Sequence, residues 1–481
     1  MIESNGKTIL IERGYETLDT EGTAVTVDEK RPGGPVSENM IRPFEISIAS
    51  KNHDGELTES FWEKSTLPAH VVAGSALTVT PIAAQSLIHG DQSQYQMACK
   101  LRDYFRDNQR VLFSFNGINY DLKVLRHFYF ENLQYPYQLS RDDRIHVDLL
   151  HASYAARDFS DEIKFIINEK GKKSLKQTDI ALANGIDVGV AHTAADDTKT
   201  LMQIADLFLE KIPEIIFTAI ECGNKFRVQN KMIEEEYFCH SNPWSSKALA
   251  PLIRNSIKGM ENEIYFFDLA HDPEEYINAS ETEISKLIGK SRSPIVRLAL
   301  NKNPILLSGI KFSDKIGINS NEALSKAMMI SSNEGFINNL NSALIRRGNP
   351  YTKDIIEDFP EMNIYSGFAP NSDYLILNEF SGSSFNEKIQ IRDHLKDQRL
   401  KAFANRLLVL EHPGDCQKSM LNQYRVFAKK RLLNDSRSVP NLTLPGAVEQ
   451  MDDSIAKGYD DEDRINEINQ YHEYLRKELE S

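Results

Sequence analysis

Up to about residue 210, short β-like runs alternate with helical patterns, and this alternation constrains the fold more than any other feature of the chain. The runs Lys7 to Ile11, Phe44 to Ala49 and Val111 to Phe115 read as strands. Between and after them, Tyr95 to Arg106 and Asp197 to Leu209 carry apolar residues every three to four positions, the helical period. Strands interleaved with helices predict an α/β domain. The stretch from Asp19 to Asn39, rich in Gly, Pro, Thr and charge, reads as a long loop.

The alternation stops after that. A second block, over residues 211–351, mixes the β-rich segments Glu263 to Leu269, Ile295 to Leu300 and Ile305 to Leu307 with turn signals at Asn242-Pro243 and Asn303-Pro304. That pattern favours a small barrel-like or α+β module. A third block, 352–481, reads as helical through Lys388 to Leu410, Gln417 to Leu433 and Ile465 to Leu479, with the acidic run Asp460 to Asp463 before the last of these. A chain of 481 residues has room for about three such domains.

Composition removes several classes of function. No apolar run approaches the ~18 residues a membrane span needs, and the chain opens without a signal-peptide pattern. Its four cysteines lie far apart with no C-x-x-C pair, which fits a reducing, cytoplasmic setting and argues against a structural zinc site. The net charge of -14 is, at first sight, a poor match to a nucleic-acid partner.

Three acidic motifs nevertheless stand in a telling order. They are Tyr15-Glu16-Thr17 at a strand end, Asn116 to Asp121 just after the strand Val111 to Phe115, and His192 five residues before Asp197 at a helix start. A pair of divalent ions about 4 Å apart requires carboxylates converging from distant parts of a chain, and a histidine nearby can take a proton from water. Hard oxygen ligands imply Mg²⁺ or Mn²⁺. Each motif alone also has an ordinary reading: a solvated carboxylate, a capped turn, an acid on a helix dipole. Their shared order points to function.

The layout resembles that of the DEDDh exonucleases, and short matches extend along nearly the whole chain to the exodeoxyribonuclease I family. They run through Gly14 to Thr17, Asn116 to Asp121, Tyr135-Pro136-Tyr137, Asp148 to Leu150, Ala183 to Ile186 and His192 to Asp197. They continue through Ala250 to Leu252, Asp268 to Ala270, Leu300 to Pro304, Ile316 to Ile318 and Tyr365 to Phe368. The resemblance implies a ribonuclease H-like exonuclease domain, an SH3-like domain and a helical C-terminal domain closing around single-stranded DNA. It implies Mg²⁺-dependent release of 5′-mononucleotides from a 3′ end, in DNA repair and recombination, by a monomer that docks the acidic C-terminal tail of single-stranded DNA-binding protein. By position, Glu16, Asp121 and Asp197 would hold two Mg²⁺ ions, with Mn²⁺ able to substitute, and His192 would be the general base. Lys176 stands where the family has an arginine that contacts the nucleotide, and Arg126 and Tyr137 where it touches the DNA strand. A cation beside a phosphate and an aromatic platform suit that task, although exposed lysines, helix faces and surface rings are common without it.

The first motif departs from the family, where Asp-x-Glu-Thr is expected and Gly14-Tyr15-Glu16-Thr17 is found. Loss of a bridging carboxylate would cripple metal binding, leaving a catalytically dead single-stranded DNA-binding pseudo-nuclease as the alternative reading. Glu12 is the candidate substitute, because residues two apart on a strand share a face. An expected tryptophan-rich stretch is replaced by Gln138 to Asp142, and a basic aromatic segment by Leu407 to Pro413.

Overall fold

The computed structural model describes the chain except residues 1–4, 25–33, 35, 53, 59, 68–69, 142, 190–192, 254–259, 349–357, 435–438 and 481. Two five-stranded sheets and a helical third region form a mixed α/β architecture. The first sheet contains β1 (Tyr15–Gly22), β2 (Pro43–Lys51), β3 (Phe61–Lys64), β4 (Val111–Ser114) and β5 (His146–Asp148), in the order β3-β2-β1-β4-β5. β3, β2 and the central β1 pair antiparallel, and β1, β4 and β5 run parallel, as expected for a ribonuclease H-like domain.

Strand alternation splits β1 between two cores. Leu18 faces a cluster with Ile46, Leu101, Phe105 and Phe128, under the helices Gln94–Asp107 and Asp121–Glu131. Tyr15 faces the opposite cluster with Phe113, Val147, Leu201 and Phe208, under the helices Leu149–Phe159 and Ala194–Lys211.

The N-terminal expectations are corrected. The run Lys7 to Ile11 belongs to a helix, Asn5–Arg13, and the segment from Asp19 is not loop at its start, because β1 continues to Gly22. The helix buries Gly6 and Ile9, three residues apart on one face. It packs on the helix Pro213–Glu221 so closely that a side-chain carbon on Gly6 would lie 2.2 Å from the Phe217 carbonyl oxygen. Close helix packing, invisible in the local pattern, overrides the β-branched run.

The second sheet contains β6 (Phe238–Ser241), β7 (Ser246–Ile253), β8 (Glu263–Asp268), β9 (Ile295–Ala299) and β10 (Leu307–Ser308), all antiparallel, in the order β10-β6-β7-β8-β9. In the helical region, the continuous helix expected over Lys388 to Leu410 is two helices, Phe385–His394 and Gln398–Glu411. The Asp373 carboxylate accepts the backbone N–H of Lys396 and Asp397, and Asp397 caps the second helix through the N–H groups of Arg399 and Leu400. The last helix, Glu462–Glu480, returns to the first region. There Arg464 donates to the carbonyls of Leu77, Thr80 and Ile82, and Tyr471 packs into the cluster around Val72 and Leu444. Among the described residues no helix is long and apolar enough to cross a membrane.

Candidate metal centre and nucleic-acid groove

The side of β1 that faces the Asp197 helix is covered as far as Thr17 and opens beyond it. Thr17 donates its hydroxyl to the Thr198 carbonyl at 3.1 Å, and Ser47 on β2 meets the Thr198 hydroxyl at 2.8 Å. These contacts set the start of that helix over the strand, with Thr193 capping it through the Asp196 N–H. Asp19 and Glu21, two and four residues past Thr17, share its face, and both are half-buried. The result is a three-carboxylate cluster. One ligand oxygen from each of Asp19, Glu21 and Asp197 lies within 4.8 Å of the others.

Asp121 adjoins this cluster from the far edge of the strand. It begins the helix Asp121–Glu131, is 4% exposed and accepts the Thr20 hydroxyl at 2.6 Å. Burial, then the Asp148 charge, raises its carboxyl to about 7 against the Thr20 hydrogen bond that lowers it. Burial and the charges of Asp197, Glu45 and Asp121 push Glu21 up to about 8. Burial, then Asp121, Glu21, Asp197 and Glu45, raises Asp19 well above the usual carboxylate range. All-oxygen donors that repel one another at close range are what a hard dication relieves, so the cluster with Asp121 beside it fits a hard divalent cation.

Glu16 is not part of this carboxylate cluster. It stands an odd number of residues from Asp19 and Glu21 and so faces the other core, 0% exposed, where it accepts the Tyr104 hydroxyl at 2.9 Å. Ser50 meets the same hydroxyl at 2.8 Å. Gly14 forms the left-handed turn (φ +66°) between the first helix and β1, before the stretch of strand that carries Asp19 and Glu21. Glu12 lies in that helix and shares no strand face with Glu16. The sequence motifs passed over the two β1 acids of this cluster, Asp19 and Glu21. Their signal is Asp19-Thr20-Glu21-Gly22, an Asp-x-Glu pattern five residues downstream, masked because Glu16-Thr17 matches the family's dipeptide better.

Of the other expected residues, His192 lies outside the described residues. Lys176 is exposed at the N-terminus of the helix Gln177–Ala183, and Gln177 beside it donates to the Asp197 carbonyl at 3.1 Å. Lys176 thus stands at the rim of the cluster. Arg126 and Tyr137 meet further along. The Arg126 guanidinium lies over the rings of Tyr137 and Tyr365, 5.1 and 5.8 Å from their centroids, and donates to the Tyr365 hydroxyl at 2.9 Å. Tyr365 and Phe368 come from the helical region, so this groove is composite. Its cavity of 370 Å³ is lined by Tyr135, Tyr137, Phe368 and Tyr374, and Phe368 is 81% exposed beside Tyr137, with ring centroids 5.6 Å apart.

No protein-family model matches the chain. Exodeoxyribonuclease I of Buchnera aphidicola subsp. Baizongia pistaciae is 31% identical over 184 residues, 37% of this chain. The chain spans 37% of that protein's length and 35% of its counterpart from the subspecies Acyrthosiphon pisum. In three dimensions the match extends over nearly the whole chain: the crystal structure of E. coli Exonuclease I with a dA16 oligonucleotide aligns with a TM-score of 0.78, covering 97% of this chain and 99% of that one at 16% identity. The chain has the exonuclease I fold. A further structure of that fold, SSB/Exonuclease I with an inhibitor, aligns over 97% of this chain and 99% of its own at a TM-score of 0.76 and 16% identity.

Asp19 and Glu21 supply an Asp-x-Glu pair on β1 beside Asp197, whereas Gly14, where an aspartate was expected, lies in the turn before the strand. Installing one at Gly14 is therefore expected to harm. A side-chain carbon there would sit 2.5 Å from the Lys51 carbonyl oxygen, and a left-handed non-glycine residue costs about 1–2 kcal/mol by itself. Gly14→Asp should lower the melting temperature without raising any nuclease rate, measured by thermal unfolding beside a turnover assay.

Proposed function

We propose that this chain is a divalent-metal-dependent exonuclease that removes 5′-mononucleotides from the 3′ end of single-stranded DNA, in DNA repair and recombination. The observation that carries this reading is the convergence of Asp19, Glu21 and Asp197 beside Asp121, within the exonuclease I fold. These four carboxylates would hold the divalent ions, which supply nucleophile activation and charge stabilisation at the leaving oxygen. His192, five residues before Asp197, would take the proton from the attacking water. Lys176 at the rim would hold a backbone phosphate near the terminal nucleotide. The alternative of a catalytically dead binder rested on a missing aspartate, and Asp19 removes its motive. A partner of the single-stranded DNA-binding protein class belongs to the same reading, by likeness to the SSB/Exonuclease I structure.

The groove of Tyr137, Phe368, Tyr135 and Tyr374 would stack unpaired bases upstream of the site, a contact that tolerates any sequence. Base stacking on an aromatic is worth about 1–3 kcal/mol, so Phe368→Ala should weaken binding of oligo-dT by roughly 5- to 150-fold, read by fluorescence anisotropy. Because Phe368 is exposed, the melting temperature should hold.

The function itself is tested with 5′-labelled single-stranded DNA, its blunt duplex, and Mg²⁺ or Mn²⁺. Progressive shortening of the single strand, a slow or absent reaction on the duplex, and arrest by EDTA are expected. A labelled single strand that stays at full length with both metals defeats the reading.

A further inference from the structure

We propose that Lys302, carried by the turn after β9 of the second sheet, is a positioning residue for the metal centre: it holds the loop that aims Asp121. This rests on the metal-dependent reading above.

The loop 116–120 joins β4 to the Asp121 helix, and its backbone is unusual from the first residue, with Asn116 at φ 60°. From one side the Asp148 carboxylate accepts the N–H groups of Asn116 at 2.8 Å and Ile118 at 3.2 Å. From the second sheet's domain comes Lys302. Its ammonium donates to the Asn119 side-chain oxygen at 2.7 Å and to the Ile118 carbonyl at 3.3 Å. Asn119 stands two residues before Asp121, so a shift of this loop displaces the carboxylate directly.

Lys302 is not a swinging surface lysine. It closes the 3₁₀ turn Leu300–Lys302, whose Leu300 is fully buried. The next residue, Asn303, adopts the left-handed conformation (φ 46°, ψ 57°) and donates its side-chain amide to the carbonyls of His146 and Gly223, both at 3.0 Å. The turn is therefore bolted to the first domain beside β5, and the lysine is delivered to the loop from a fixed base.

Its surroundings make the placement costly. Lys123 and Arg126, on the Asp121 helix, repel Lys302, while Glu38, paired with Lys123 at 2.7 Å, and Asp148 attract it. Burial and then Lys123 lower its ammonium to about 8. A lysine kept among like charges and turned toward a carbonyl and an amide oxygen is placed for the geometry of those acceptors.

Removal of a group that orients a metal ligand costs about 10–100-fold in metal affinity or activity. Two readouts separate positioning from a phosphate contact. One is Mn²⁺ binding to the DNA-free protein by titration calorimetry; the other is kcat, KM and the salt dependence of KM on oligo-dT. For Lys302→Ala we expect Mn²⁺ affinity and kcat each to fall about 10–100-fold, with KM and its salt slope unchanged. Lys302→Arg should recover most of both, having donors for the same acceptors. Asn119→Ala should reproduce the loss, and the double variant should be no worse than either single one. Unchanged Mn²⁺ affinity in Lys302→Ala overturns the proposal. So does a raised KM with a salt slope smaller by about one, the mark of a phosphate contact. If the wild type and Asp19→Asn bind Mn²⁺ equally weakly, the metal-dependent reading itself is wrong and this proposal goes with it.

Discussion

Asp19→Asn should lower the rate of nucleotide release by about 10³-fold or more. A catalytic metal supplies several kcal/mol of charge stabilisation, and each 1.36 kcal/mol is a factor of ten, so loss of about 4 kcal/mol gives that figure. Asp19 is singled out because it is held among Glu21, Asp197, Asp121 and Glu45, where a bound cation would relieve the repulsion. The same crowding sets a second expectation of opposite sign. Without metal at neutral pH, repulsion and burial disfavour the ionised carboxylate, so the neutral asparagine should raise the melting temperature of the metal-free protein. The stabilisation conferred by added Mn²⁺, which scales as RT ln(1 + [L]/Kd), should shrink in the variant. Thermal unfolding with and without Mn²⁺, beside a rate measurement, reads all three. Glu16→Gln is the contrast: Glu16 lies in the other core, so activity should stay within a few-fold of wild type while stability falls. Retained activity in Asp19→Asn, or lost activity in Glu16→Gln at full folding, would return the site to Glu16.

The largest effect on stability is expected at Glu361. Its carboxylate, 0% exposed, takes a two-pronged pair from Arg431 at 2.7 and 2.8 Å and meets Arg406 at 2.5 Å. Arg406 continues to Glu131 at 2.8 Å, and Glu131 pairs with Arg42. Two carboxylates and three guanidinium groups thus form one buried chain from Arg42, just before β2, and the Asp121 helix to the helical region. Removing one partner from a buried pair leaves the other charges unpaired and costs about 3–5 kcal/mol. Glu361→Gln should therefore lower the midpoint of urea unfolding markedly, with nuclease activity retained below the transition. The pH dependence follows from the sign of the shift. Arg406 and Arg431 hold the Glu361 carboxyl down at about 2 against the burial that would raise it, whereas an unfolded glutamate titrates near ~4.3. Its contribution is full above the unfolded value and is lost as pH falls from about 4 toward 2. In Glu361→Gln that part of the acid sensitivity should vanish. A variant as stable as wild type would mean that hydrophobic packing, not this chain of charges, holds the two regions together.

Much of the architecture was legible from short-range pattern. The strands around Phe44 to Ala49 and Val111 to Phe115, and the helices over Tyr95 to Arg106 and Asp197 to Leu209, lie where the periods of two and 3.6 place them. Errors fell where a distant partner decided the outcome. The run Thr8 to Ile11 is β-branched and apolar, yet it is helical because Gly6 lets its backbone meet Phe217. The break at Leu395 to Asp397 depends on Asp373, more than twenty residues away in sequence. The net charge of -14 decides nothing about a partner for the same reason: total charge says nothing of which signs share a surface. Here Lys123, Arg126 and Lys302 lie close enough to repel one another, while Asp19, Glu21, Asp121 and Asp197 crowd together.

The residues alone suggested a kind of chemistry. Carboxylates at Asp121 and Asp197, each at the start of a helix after a recognisable motif, and a histidine five residues before the second, point to hard divalent ions whatever the fold. Which acids of the first strand join them was decided only in three dimensions. Glu16 and Glu21 are five residues apart, an odd number, so a strand must send them to opposite faces. Nothing in the local sequence states which face the Asp197 helix covers. That choice is made by the contacts of Thr198 with Thr17 and Ser47, which seat the helix on one side of the sheet and bring Asp197 to Asp19 and Glu21.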